Sequence, residues 1–432
     1  MAGRQQALVV CGASELLRNG GFIAAAQSRG LALIGLNETA VRCLDLRQIT
    51  RVADGGGLSV PWEMHELAPS DEAGTLAILS ECARRYEIRG TLALREDWVR
   101  WAALAADFFG LPSIGLRAAQ VCRDKLLQRL YLARWSPRYQ VIMPGSHDAP
   151  PAISLPAVLK PTCRSGSSGV RLIKDEVALR AQLAQYQPDE VALLEESVTG
   201  PEYSVETLVQ DGQQIFESIT AKRTNEAGSQ YFVELAHTVP ATSLTDADRH
   251  TLIAANHDIL QALDVRDGIT HAEYRLTNGR PTLMEINARP PGDGIITLYR
   301  LATGSHLEEA LVQIALGEPA SYPQPRRYAR QVYLDHPCGI LKDVHVDDTL
   351  GVEPVWLGDA VVRPEPLGAA RTSEHACLRL VTVIKRRGDL LTPLRDGRDR
   401  AATFVIDAAS EAELDDFELV ARDGITIEVS PA

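Results

Sequence analysis

No run of apolar residues in the chain approaches the length of a membrane span, while 45% hydrophobic content and a mean hydropathy of -0.09 fit a soluble, enzyme-sized protein with ample core. A surplus of positive charge is also lacking. The formal net charge of -13 excludes nucleic acid or an anionic membrane surface as the main partner, since both require a basic face. Any anionic ligand must therefore be held locally. Paired cysteines are missing too: the seven (Cys11, Cys43, Cys82, Cys122, Cys163, Cys338 and Cys377) are widely spaced and include no CxxC, which excludes the usual zinc and dithiol arrangements and points to free thiols in a reducing compartment. The first residues, MAGRQQALVVCGAS, enter a strand-like run without a signal peptide's apolar segment or cleavage site, so the cytoplasm is the expected location. Internal repeats and low-complexity tracts are absent. Gly12, Gly20 and Gly21 follow the first strand-like run without GxGxxG spacing, which favours a helix-packing or substrate-loop role over dinucleotide binding.

What is present suggests about two to four domains for 432 residues. Residues 1–115 alternate short apolar strands with helical stretches (LVVCGAS, GGFIAAAQSRG, LALIGLN, GTLALRED), the pattern of a Rossmann-like parallel sheet covered by helices. Residues 116–190 hold a helix through VCRDKLLQRLYLARW, with Lys125 early in it, and a strand ending at Lys160 before a Gly/Ser-rich loop, CRSGSSGV. Small residues let backbone N–H groups approach an anion closely. The loop is not a Walker A motif, because its lysine precedes the glycines.

Residues 191–320 form the next unit. VALLEESVTGPEYSVETL places Glu195 and Glu196 at the end of one strand and Glu202, Ser204 and Glu206 on one face of another. A connector of this kind can offer backbone groups to an adenine edge and a carboxylate to ribose hydroxyls; a β-edge with solvated acids has the same pattern. Lys222 ends a further strand, His237 lies in the next, and DADRHTLIAANHDILQAL reads as an amphipathic helix. Residues 321–432 read as a small α+β cap with short strands and no clustered His/Cys/Asp set.

The most informative stretch is GITHAEYRLTNGRPTLMEINARPPGDG, residues 268–294. Glu285, Asn287 and Arg289 occupy every second position of one strand-like run, so they share a face. Hard oxygen ligands on such a face suit magnesium bridging phosphates; a solvated polar strand face is the other reading. The turn discriminates. A two-residue Asn278-Gly279 loop puts Glu273 and Glu285 on opposite faces, whereas a three-residue loop ending on Gly279 puts them on one. Sharing a metal therefore predicts the three-residue loop, with Arg289 further along the same face.

The order of these parts resembles the ATP-grasp superfamily over roughly residues 115–320, and within it the carboxylate–amine ligases that join amino acids, the L-amino-acid ligase or dipeptide synthetase group with its dapdiamide-type antibiotic-pathway members. The resemblance implies an α/β ATP-grasp architecture with an N-terminal Rossmann-like domain, a flap subdomain, a nucleotide core and a C-terminal region. It implies that Lys125 and Lys160 contact phosphates, and that Arg164, Ser165, Gly166, Ser167, Ser168 and Gly169 cover the triphosphate. Glu195, Glu196 and Val198 resemble the adenine hinge, Glu202 the ribose acceptor, and Glu273, Glu285 and Asn287 the ligands of Mg²⁺, expected as two ions, with Mn²⁺ as a substitute. Arg289, Lys222 and His237 are the implied catalytic groups, with His271, Arg289, Gly292 and Asp293 on the substrate side. The implied activity is ADP-forming amide synthesis through an acyl phosphate, on small carboxylate and amine substrates of amino-acid type, with no nucleic acid or membrane partner and a homodimer on base rates. The alternatives are a carboxylase or purine-pathway ligase using bicarbonate or formate, and a regulatory protein that binds ATP without turnover.

Overall fold

The computed structural model describes residues 3–38, 62–144, 151–164, 166–227, 229–357 and 374–431. The N-terminal unit is a four-stranded sheet in the order β3-β2-β1-β4, with β1 Gln5–Cys11, β2 Ala32–Asn37, β3 Trp62–Glu66 and β4 Tyr86–Ala93, parallel throughout. Helix α1 Gly21–Gln27 lies between β1 and β2, α2 Glu72–Arg85 between β3 and β4, and α3 Val99–Phe109 follows β4. β1 is flanked on both sides, and Ala7 to Cys11 are fully buried, which is why its text is an unbroken apolar run rather than an alternation.

The expected single helix around Lys125 is two: α4 Leu116–Arg123 and α5 Lys125–Tyr131. Asp124 between them has extended dihedrals (φ -130, ψ 116), and its carboxylate accepts from Leu126 N–H at 2.7 Å, capping α5. The break frees Lys125 N–H to bond the Thr162 carbonyl at 3.0 Å, tying the helix start to the flap.

The flap sheet has the order β5-β8-β6-β7, from β5 Tyr139–Ile142, β6 Ala157–Pro161, β7 Arg171–Ile173 and β8 Ala192–Glu196, with α6 Glu176–Leu183 against it. Because β8 lies between β5 and β6, this unit runs through Glu196, beyond the expected boundary at 190.

Nine of the remaining strands build one sheet, β13-β12-β9-β10-β11-β14-β19-β17-β16. It comprises β9 Glu202–Gln210, β10 Gln213–Thr224, β11 Glu234–Val239, β12 Gly268–Thr277, β13 Arg280–Asn287, β14 Tyr328–Tyr333, β16 Pro354–Trp356, β17 Cys377–Val383 and β19 Ala402–Ala408. The C-terminal residues expected as a separate cap thus continue the core sheet through β14. Only β15 Gly339–Val346, β18 Leu390–Leu391 and β20 Ile425–Ser430 form a smaller sheet, with α10 Glu411–Asp423 beside it. The amphipathic helix is α7 Asp246–Leu263, the stretch its pattern predicts, burying Leu252, Ile259, Leu260 and Leu263 beneath β9 and β12. Helices α8 Ile295–Thr303 and α9 Leu307–Leu316 pack between the two large sheets, where Tyr299 and Leu311 share a core with Leu8, Phe22, Leu208 and Ile269.

Candidate functional site

The hairpin does not have the expected turn. Thr277 pairs with Arg280, so the loop is the two-residue Asn278-Gly279, both at positive φ (51 and 74), a mirror-image turn that suits the right-handed twist of the strands. Continued regularly, that register would put Glu273 and Glu285 on opposite faces. A β-bulge intervenes: Tyr274 pairs with Leu283 but Glu273 pairs with Glu285, leaving Met284 as the extra residue. The carboxylates share a face because of the bulge, not the loop. Beyond it Asn287 stands opposite His271, and β13 ends there. Arg289 therefore lies in the bend after the strand, its Nη1 on the Pro290 carbonyl at 2.9 Å and its Nη2 3.6 Å from Glu96 of the N-terminal unit.

Pairing carries this polar face across the sheet. Arg275 on β12 stands opposite Glu202 on β9, which stands opposite Lys222 on β10, which stands opposite His237 on β11 and then Gln331 on β14. Directly opposed residues share a face, so these side chains and the metal-type acids converge on one cavity of about 1070 Å³. Of the residues the sequence singled out, Lys125, Lys160, Arg164, Gly166, Ser167, Ser168, Glu195, Glu196, Val198, Glu202, Lys222, His237, His271, Glu273, Glu285, Asn287, Arg289, Gly292 and Asp293 line it. Gly169 is outside that lining, its carbonyl taken by the Tyr186 hydroxyl at 2.9 Å, and Ser165 falls outside the described residues.

Lys125 Nζ bonds Glu285 Oε1 and the Arg164 carbonyl, both at 2.9 Å. Lys160 bonds Glu195 at 2.6 Å, and Arg129 Nε bonds the other oxygen of Glu195 at 2.6 Å. Burial, with Arg129 nearby, lowers Lys160 to about 8 despite Glu195. Glu195 thus has its side chain committed to Lys160 and Arg129 and its backbone between β5 and β6. Glu196 is paired with Arg138 at 2.7 Å, so the open part of the connector is Ser197 and Val198. In the flap, Gly166, Ser167 and Gly169 all take positive φ, the conformation its glycines permit; the Arg164 side chain pairs with Glu190 at 2.7 Å and lies over the Tyr186 ring.

Lys222 is buried among Glu273 at 2.7 Å, Glu202 at 3.5 Å and Glu234. Burial opposes its charge, but the three carboxylates overcome this and hold it well above the ordinary lysine value. His271 has both ring nitrogens on carboxylates, Nδ1 to Glu206 at 2.7 Å and Nε2 to Glu273 at 3.1 Å. Burial is outweighed and its pKa rises to about 9, so both nitrogens carry protons. Its place is under Glu273, orienting that carboxylate, with no nitrogen left for a substrate. Glu206 is itself fixed by Ser204, Thr220 and Tyr299 at 2.6 to 2.7 Å. Burial opposes ionisation of Glu273, yet Lys222 and His271 hold it well below the usual carboxylate range.

Three residues of the site carried no sequence signal. Glu234, on β11, is half-buried, and Lys222 and His237 hold it well below its ordinary value against the cost of desolvation. Arg400, just before β19, spans Glu234 at 3.3 Å and Asp293 at 3.1 Å while stacking 3.8 Å over the Tyr333 ring. Glu96 lies buried near Glu285 and Arg289, and burial first, then Glu285, pushes it up. His237 Nε2 is 3.4 Å from Glu234 and 3.9 Å from Asp293, and its buried Nδ1 has no partner. Asp293 itself sits at φ 52, a left-handed conformation held by Arg400.

The acids suit a hard divalent cation: Asn287 Oδ1 is a buried oxygen with no hydrogen-bond partner, and it stands two positions along the strand from Glu285. Such an oxygen costs free energy unless a cation or donor meets it.

Residues 153–298 match the ATP-grasp domain family. The chain is 30% identical over 299 residues to the uncharacterized protein y4rH of Sinorhizobium fredii, a match covering 65% of this chain and 60% of that protein. It is 27% identical over 299 residues to carnosine synthase 1 of Gallus gallus, covering 62% of this chain and 32% of that protein. The chain thus matches less than two thirds of these relatives' lengths. Among solved structures, an L-amino acid ligase from Bacillus licheniformis superposes with a TM-score of 0.76 at 20% identity, covering 100% of both chains, a likeness of fold. With the flap, the lysines and the bulged acidic hairpin around one cavity, residues 153–298 are similar to the ATP-grasp domain family, and the chain as a whole has a fold like that of the L-amino acid ligase.

Proposed function

We propose that the protein is an ATP-dependent, ADP-forming carboxylate–amine ligase that joins amino-acid-like substrates through an acyl phosphate. The observation that carries this reading is the junction of two charge environments in one cavity. Lys125 and Lys160 line the same cavity as Glu273, Glu285, Asn287 and Arg289, a set of cations and hard oxygen ligands that suits a triphosphate with its Mg²⁺. A Mg²⁺ held by Glu273, Glu285 and Asn287 would supply further positive charge to the phosphoryl oxygens. The similarity to a carnosine synthase and the fold of an L-amino acid ligase support the reading.

The reaction asks the chain for three things. Lys125 and Lys160 neutralise charge that develops as the terminal phosphoryl leaves ADP for a substrate carboxylate oxygen. Arg289 offers a planar fork to that carboxylate and then to the acyl phosphate. Glu234 and Asp293 accept a substrate ammonium, and His237, whose Nε2 lies beside both carboxylates, is the proton acceptor that leaves an amine free to attack the acyl carbon, with phosphate departing. Arg400 spans the two carboxylates, and Lys222 keeps Glu234 ionised.

A phosphate-release screen over pairs of amino acids and small carboxylates, followed by mass spectrometry, tests the proposal. ADP and phosphate released with a condensed product support it. AMP and pyrophosphate, or turnover that needs bicarbonate and ignores amino-acid pairs, would overturn it.

A further inference from the structure

We propose that Gln128 and Arg129 are positioning residues that lock the bulged register of β13, and so hold Glu285 and Asn287 opposite β12 for a divalent cation. β13 is the outermost strand of its sheet, and such a strand leaves backbone N–H and C=O groups unpaired along its outer side. Here α5 lies along that side. Gln128 Nε2 donates to the Ile286 carbonyl at 3.0 Å, and Gln128 Oε1 accepts from the Ile286 N–H at 3.0 Å. One amide thus reproduces both bonds that a neighbouring strand would make to that residue. Arg129 Nη2 donates to the carbonyl of Met284 at 2.7 Å, the extra residue of the bulge. Both side chains are 0% exposed.

The specificity of the arrangement comes from the bulge. A one-residue slip of β13 would turn Glu285 and Asn287 to the opposite face, since side chains alternate. The turn alone favours the regular register, so something outside the hairpin must favour the bulged one. Gln128 and Arg129 bind the backbone of residues 284 and 286 only when the extra residue is in place. Lys125, Gln128 and Arg129 fall on one face of α5 by their i, i+3 and i+4 spacing, so the helix that bonds the Glu285 carboxylate also fixes its strand. Arg129 extends the link: its Nε holds Glu195, which holds Lys160, so one guanidinium joins the acidic hairpin to a phosphate-side lysine. Neither residue lines the cavity.

The inference rests on the metal-binding part of the proposed function, and its test reads binding rather than turnover. Mn²⁺ is titrated into the full chain with a non-hydrolysable ATP analogue present, and the analogue is titrated separately without metal. Gln128→Met, which keeps the volume and removes both bonds, should weaken Mn²⁺ about 10-fold or more, as loss of an outer-shell support does, while metal-free analogue binding stays within about 2-fold. Arg129→Lys, which keeps a cation beside Glu195, should weaken Mn²⁺ by several-fold and serves alone if Gln128→Met does not fold. Glu285→Gln is the control. If it weakens Mn²⁺ while both positioning variants match the parent, the inference fails and the metal reading stands. If Glu285→Gln leaves Mn²⁺ affinity unchanged, both fail. Equal loss of metal and metal-free analogue binding in Gln128→Met would also overturn the inference, since it would mean general loosening.

Discussion

Replacing Lys222 by Met tests the electrostatic centre of the site, because one ammonium there serves three carboxylates. Its Nζ is 2.7 Å from Glu273 and 3.5 Å from Glu202, with Glu234 also in contact, and its side chain is 1% exposed. At the effective dielectric that describes buried protein sites, each such contact has a gross attraction of roughly 4 kcal/mol or more, most of it offset by the cost of burying the lysine. Removing one partner of a buried ionic cluster leaves the other unpaired, and the net loss expected is about 3–5 kcal/mol at pH 7. The pH dependence follows from the acids. Glu273 and Glu234 are held below their ordinary value in the folded protein, so the stability they contribute is complete above the unfolded carboxylate pKa and is lost as pH falls through the folded one. Without Lys222 that depression shrinks. The gap in stability between parent and Lys222→Met should therefore be full at pH 7 and narrow as the pH falls below about 4.5, the region where unpaired glutamates take up protons. Denaturant unfolding at pH 7 and pH 4, followed by tryptophan fluorescence, measures it. A variant as stable as the parent at pH 7, or a gap of equal size at both pH values, would refute the reasoning.

Glu285→Ala should abolish ATP turnover while leaving the far-ultraviolet circular dichroism unchanged; retained turnover would remove Glu285 from the metal set. In the nucleotide-free protein Lys160 titrates at about 8, and its cation is lost as pH rises through that value. Metal-free binding of an ATP analogue should then weaken between pH 7 and 9 in the parent and stay flat in Lys160→Met, a comparison that calorimetry makes directly. Arg400→Lys keeps the charge but cannot span Glu234 and Asp293, so KM for the amine-bearing substrate should rise about 10-fold, near 1.4 kcal/mol, with a smaller change in kcat. A change confined to kcat would place Arg400 outside substrate binding.

The polar pattern of 285 and 287 and the positive-φ flap loop were legible because period-2 alternation and glycine usage are local properties. So was α7, whose apolar spacing has one solution. What the sequence could not display was anything depending on a partner far along the chain. Arg400 is one of many arginines in its region, and its function arises from β14 and β19 bringing it beside Tyr333, Asp293 and Glu234. The resemblance places Glu195 at the nucleotide, and only the sheet order β5-β8-β6, with Arg129 beside it, shows its carboxylate bonded to Lys160.

The hairpin shows how a correct requirement can be met by an unexpected device. That Glu273 and Glu285 must share a face follows from their chemistry, and alternation then demands one residue beyond a regular two-residue hairpin. The sequence offered Gly279 as the place for it, since glycine accepts positive φ. The structure uses Asn278-Gly279 as a tight turn, at positive φ for both residues, and inserts the extra residue at Met284. The two solutions differ in what must support them. A longer loop is a local choice that the turn residues can make alone. A bulge in mid-strand disrupts the ladder and leaves backbone groups to be satisfied, which calls for polar side chains from elsewhere. Gln128 and Arg129 supply them, from a helix whose first residue is the lysine bonded to Glu285. Placing the irregularity beside the acids rather than in the turn makes the position of Glu285 depend on α5, and through Thr162 on the flap sheet, so that the lysines and the acidic hairpin are set by one connected framework.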